Sequence, residues 1–198
     1  MGNPTMDALS FILGALFNIY ALIVAVRFVM QAVNADGYSP VAQGVIRLTD
    51  PLLLPLRKFI PSIRGYDVAA LLLCFVVLLL KALVFKLLGQ SDILAGFRYS
   101  LGLMAVPQLI TYSLLSLLNL FFNIFIYSII ILAILSWVSP DPRNPMYALL
   151  SDLARPVLSR VRRFVPPLNG FDLSTLVAII GLYALKILVI GNLAQLLF

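Results

Sequence analysis

Between Asp7 and Arg27 lie nineteen residues without a charge, ALSFILGALFNIYALIVAV, and three later stretches repeat that condition. Val68 to Leu88 is interrupted only by Lys81 and Lys86, Tyr99 to Pro140 carries no charge, and Leu173 to Phe198 carries Lys186 alone. A hydrocarbon layer about 30 Å thick is crossed by roughly 20 apolar residues in a helix. The chain is 62% hydrophobic and 11% charged, against about 25% charged in soluble domains. In water so much apolar side chain would form one adhesive patch. The expected fold is therefore all-α and integral to a membrane.

The spans are placed at about 9–30, 68–88, 110–136 and 173–197. No lysine or arginine precedes Arg27, so the first run lacks the basic start of a secretory signal and is expected to be retained. Pro107 divides the third run, since a proline inside a helix loses a hydrogen bond and clashes with the turn before it. Residues 99–106 are accordingly an interfacial segment before the third span. Two shorter helices in that run are the alternative.

A fixed offset of 105 relates the two halves. DPLLLPLRKFIPSIRGYDVAALL from Asp50 parallels ARPVLSRVRRFVPPLNGFDLSTLV around Arg155, and the same offset pairs Lys81 with Lys186, Asn18 with Asn123 and Pro40 with Pro145. So many matches in one register indicate a duplication, with units 1–98 and 99–198. Each unit is a span, a basic amphipathic loop and a second span, so the copies run parallel rather than inverted. The two long loops hold Arg47, Arg57, Lys58, Arg64, Arg143, Arg155, Arg160, Arg162 and Arg163, whereas the middle connection and its edge hold only Lys86 and Arg98. The positive-inside bias places both long loops in the cytoplasm and both termini outside.

Several chemistries lack their residues. There is no histidine, which removes His-ligated haem, most zinc sites and the usual Ser-His or Cys-His pairs. All eight acids are aspartates, and the one cysteine, Cys74, sits in an apolar run as a small buried residue. No cofactor is expected. The formal charge of +6 is gathered in the loops, which suits a membrane surface and not a nucleic acid.

Three groups of residues are candidates for a role. Pro51 and Pro156 open a short amphipathic helix in each loop. Leu52, Leu53, Leu56, Phe59 and Ile60 gather near one face with Arg57 and Lys58 beside it. In the second copy Val157, Leu158, Val161, Phe164 and Val165 oppose Arg160, Arg162 and Arg163. Such a helix lies in the interface, either as an anchor or as a docking face for anionic headgroups or a partner protein. Pro61 and Pro166 stop it, Gly65 and Gly170 allow a reversal, and Asp67 and Asp172 stand where N-cap carboxylates belong. Ion or proton handling by these aspartates is the other option. Finally, Lys81 and Lys186 each fall roughly 20 Å into a span at 1.5 Å per residue, where a cation is costly. They either snorkel outward or pair with Asn18 and Asn123. No acidic residue is expected at that depth, which disfavours a carboxylate proton relay.

The doubled pattern P-x-L-x-x-x-R-[KR]-F-[IV]-P followed by G-[YF]-D, with Leu135-Ser136-Trp137 and Asp172-Leu173-Ser174, resembles the YggT (YlmG-like) family of small bacterial and plastid membrane proteins. The first copy departs from it, with Ala69 where the second has Ser174. The resemblance implies a bacterial inner-membrane protein and an accessory role. Bacterial relatives are associated with osmotic-shock resistance and division-linked gene neighbourhoods, and plastid relatives with b-type cytochrome maturation and nucleoid distribution. It implies no catalytic residue. The function expected is thus a non-enzymatic accessory or scaffold protein working through its basic loops. A homo-oligomer or membrane-protein partner is compatible with that reading. The alternative is an oligomeric channel or transporter-like protein, because four helices can hardly enclose a pore alone.

Overall fold

The computed structural model describes residues 4–63, 65–138, 144–165 and 172–197. Six α-helices and one hairpin make up the described chain: α1 Pro4–Ala32, α2 Pro40–Phe59, α3 Val68–Leu87, β1 Ser91–Leu94, β2 Phe97–Ser100, α4 Val106–Val138, α5 Pro145–Val161 and α6 Leu173–Leu197. Helices α1, α3, α4 and α6 are long and apolar enough to cross a membrane. The protein is an all-α, multi-pass membrane protein.

Packing follows the offset of 105. Helix α1 lies along α3 and α4 along α6, while α3 against α4 joins the halves. One buried cluster centres on Ala21, Val24, Ala70 and Leu73 between α1 and α3. The alanines of this cluster, Ala21, Ala25, Ala69 and Ala70, let the helix backbones approach closely where van der Waals contact, not water exclusion, drives association. Leu53 of α2 and its counterpart Leu158 of α5 insert into the core.

Two boundaries differ from the sequence reading. The loop helices do not open at Pro51 and Pro156 but at Pro40 and Pro145. There Ser39 accepts from the Ala42 N–H at 3.2 Å and Asn144 from the Met146 N–H at 2.9 Å. A proline just inside an N-cap costs nothing, because its missing N–H would have no partner there. Pro51, Pro55 and Pro156 lie within these helices, which continue through them. Pro107 does mark the boundary expected of it, with no α-helix before it and the third span after it. It lies in the first turn of α4, so there is one third span and not two helices.

Residues 99–106, however, do not form a plain interfacial segment. Helix α3 ends in a Schellman motif, with Gly89 N–H bonded to Lys86 O at 3.1 Å, Gln90 N–H to Phe85 O at 2.8 Å, and Gly89 at φ 65°. The chain then makes the antiparallel β1–β2 pair, with Leu94 opposite Phe97. Ala95 and Gly96, at φ 52° and 95°, form the two-residue turn. Positive φ at both turn positions matches the twist of the strands. A short 3-10 turn, Leu101–Leu103, leads into α4.

Candidate functional site

The lysines sit on core-facing positions of their helices, each 7% exposed. Lys81 Nζ donates to Asn18 Oδ1 at 3.0 Å, and Lys186 Nζ to Asn123 Oδ1 at 2.8 Å. Each ammonium also lies over an aromatic ring of its own helix, Phe85 at 5.4 Å for Lys81 and Tyr183 at 4.9 Å for Lys186. Ring faces attract a desolvated cation.

The expectation that no acid reaches this depth fails at Lys81. The hairpin folds back over the end of α3 and brings Asp92 Oδ2 to 2.5 Å from Lys81 Nζ. Tyr112 of α4 donates to the same carboxylate oxygen at 2.9 Å. Both side chains of the ion pair are largely buried. Removing one member of a buried pair typically costs about 3–5 kcal/mol, because the other charge is stranded. Lys186 has no such carboxylate among the described residues, and the position 105 beyond Asp92 is Leu197.

The cap residues form a second matched set. Asp67 accepts from the Ala70 N–H at 3.2 Å and pairs with Arg57. Asp172 accepts from the Ser174 N–H at 3.1 Å, from the Ser174 hydroxyl, and from Arg162 at 2.7 Å. Burial alone would push the Asp172 carboxyl up. The Ser174 and Arg162 hydrogen bonds and the Arg162 charge outweigh it and hold the group below the usual carboxylate range. Gly65 adopts φ 83° at the reversal before Asp67, and its carbonyl accepts from Gln31 at 3.1 Å. Pro166 and Gly170 lie outside the described residues, as do Arg64 and Arg143.

The basic residues therefore divide. Arg57 and Arg162 are turned to the cap carboxylates. Lys58 is exposed, Arg160 donates to Pro156 O at 2.8 Å, and Arg163 is exposed beside it. Phe59 and Phe164, the neighbours of Lys58 and Arg163, are 84% and 86% exposed. Arg155, Arg160 and Arg163 line one cavity of about 420 Å³, together with Val33 at the end of α1. Arg155 also donates to Val33 O at 2.8 Å, which ties α5 to that end of α1.

Asp92 and Tyr112 are the site residues that sequence reasoning missed. For Asp92 the weak signal lay in DILAGFRYS, where the alternating FRYS follows an Ala-Gly turn after Gly89.

Comparison with known proteins adds the following. The family model described as CCB3/YggT matches residues 6–88 and again residues 111–193. An uncharacterized protein of Pseudomonas aeruginosa is 38% identical over 93% of this chain and 89% of its own length. A Vibrio alginolyticus protein described as lying in the proC 3' region is 36% identical over 89% of this chain and 90% of its own. The uncharacterized protein YggT of Escherichia coli strain K12 is 30% identical over 91% and 88%. No solved structure matches.

Proposed function

This chain belongs to the CCB3/YggT family, and we propose that it acts there as a non-enzymatic accessory protein of the bacterial inner membrane. Its α2 and α5 surfaces dock on anionic lipid headgroups and so support osmotic-stress tolerance or the assembly of membrane complexes. In this reading the basic loops face the cytoplasm and both termini lie outside. The observation that carries it is the cavity lined by Arg155, Arg160 and Arg163 next to the exposed Phe164. Guanidinium groups match phosphate oxygens in geometry as well as charge, and an exposed phenylalanine beside them in the chain suits the apolar face of an interfacial helix, buried at the headgroup–acyl boundary. Lys58 and Phe59 repeat the cation–aromatic step in the first half.

Arg57 and Arg162 drop out of the docking set, because their charges are used on the caps. The informative variant is therefore Lys58→Gln with Arg160→Gln and Arg163→Gln. A cation near an anionic leaflet contributes about 1 kcal/mol, so the triple variant should lose most of the preference for phosphatidylglycerol over phosphatidylcholine. Spin-labelled lipids in nanodiscs report that preference. The variant should also fail to restore osmotic tolerance to a deletion strain at matched expression. An unchanged lipid preference with full rescue would mean that these residues only orient the chain.

A further inference from the structure

Lys81 and Asp92 stand in a wall common to two cavities. The first, about 740 Å³, extends along α1 from Asp7 and Ser10 to Asn18 and is flanked by Arg98 of the hairpin. The second, about 300 Å³, lies further along the same helices, where Ala21 and Leu78 meet Ser116, Asn119 and Asn123 of α4. Asn18, Lys81, Asp92 and Ile93 line both. The second cavity is thus lined mainly by membrane-spanning helices, with Asp92, Ile93 and Leu94 of the hairpin on one side, yet much of its lining can hydrogen-bond.

Its polarity has a consequence for what fills it. Asn119 Oδ1 is buried with no hydrogen-bond partner among the described residues. Dry cavities are apolar, whereas a roomy cavity with an unsatisfied polar atom holds water, which completes the missing hydrogen bonds. Asn123 continues the polar lining and already accepts from Lys186, so this water would extend from one lysine to the surroundings of the other.

We propose that the two cavities form one water-filled passage from the hairpin face into the middle of the helix bundle. The Lys81–Asp92 ion pair plugs it, and small ions enter when the pair parts. The intact plug is neutral and closes on both sides of its own charge. Its two halves come from different elements: Lys81 belongs to α3, while Asp92 rides on β1 and is held to α4 by the Tyr112 hydroxyl. Displacing the hairpin would withdraw Asp92 and leave a bare ammonium facing the passage. The proposal does not depend on headgroup docking.

Charge-selective thiol labelling tests it on the full-length protein in nanodiscs. Cys74→Ala removes the native thiol, Leu120→Cys places a reporter beyond the plug while keeping Asn119, and Asp7→Cys serves as a control at the mouth. With the pair intact the reporter should react slowly with both an anionic sulfonatoethyl and a cationic trimethylammonioethyl methanethiosulfonate. Asp92→Asn should speed the anionic reagent by about tenfold and slow the cationic one by a similar factor, since one uncompensated charge at about 10 Å and an effective dielectric near 20 supports roughly that factor for each. Lys81→Gln should invert the preference. The exchanged pair, Lys81→Asp with Asp92→Lys, should restore slow and unselective labelling, which separates loss of the plug from loss of fold. A reporter that stays inert in every variant while the mouth thiol reacts would show the inner cavity to be dry. Equal acceleration of both reagents in both single variants would show loosened helices and no plug. Either result overturns the proposal.

Discussion

The two lysine sites share a register 105 residues apart but are closed differently. Each ammonium has a carboxamide from the facing span and an aromatic ring below it. Among the described residues only Lys81 also has a carboxylate, supplied by a hairpin that follows a shorter helix. In the second half α6 runs on as helix to Leu197 over the corresponding stretch. The caps differ in the opposite sense. Asp67 is 2% exposed and relies on Arg57, with the methyl of Ala69 nearby in sequence, whereas the more exposed Asp172 gains a hydroxyl from Ser174. Positions at the same offset therefore hold unequal electrostatics: Lys81 and Asp67 are both buried and paired with an opposite charge, whereas Lys186 rests on neutral partners and the Asp172–Arg162 pair is the more exposed one.

This inequality sets the order of mutational effects. Lys81→Leu strands a largely buried Asp92 and should cost about 3–5 kcal/mol. Lys186→Leu leaves only the Asn123 carboxamide short of a partner, at about 1–2 kcal/mol. Thermal unfolding in detergent should show the larger drop for Lys81→Leu. If Lys186→Leu were neutral or stabilising, its lysine would be a snorkelling residue with no structural role in the bundle.

A smaller contrast is expected at the caps. Loss of an N-cap costs about 1 kcal/mol, and Asp67→Ala should exceed Asp172→Ala because it also leaves Arg57 facing a buried site. The acid behaviour sharpens the difference. The folded state holds the Asp172 carboxyl below its ordinary value, so the unfolded chain takes up the proton first. Its stabilisation is complete above the unfolded value of about 3.9 and disappears as pH falls through the lower folded value. The stability gap between wild type and Asp172→Ala should therefore be constant near neutrality and shrink only below about pH 4.

Much of this arrangement was legible in the residues. Uninterrupted apolar length located the spans, and a constant offset along the chain tied Lys81 to Lys186 and Asn18 to Asn123. The capping aspartates were readable because an Asp directly before an apolar run has a local purpose. Two prolines misled. Pro51 and Pro156 looked like helix starts, yet neighbours in the fold hold α2 and α5 together through interior prolines, whereas Pro107 stands in the first turn of α4, at the boundary expected of it. Asp92 was invisible for a different reason. Its distance from Lys81 along the chain says nothing until the chain reverses, and the reversal depends on a Schellman glycine and a two-residue turn whose weak signals were hidden beside a long apolar run.

The difference between the halves is tested most directly by paired double-mutant cycles on one protein. The coupling free energy of Lys81 with Asp92, from Lys81→Leu, Asp92→Leu and the double variant, is set beside that of Lys186 with Asn123 from the corresponding three. Contacting groups couple by about 0.5–3 kcal/mol. The Lys81–Asp92 coupling should lie at the upper end of that range, and the Lys186–Asn123 coupling at the lower end. Equal couplings, or a Lys81–Asp92 value indistinguishable from zero, would contradict a closed ion pair in the first half.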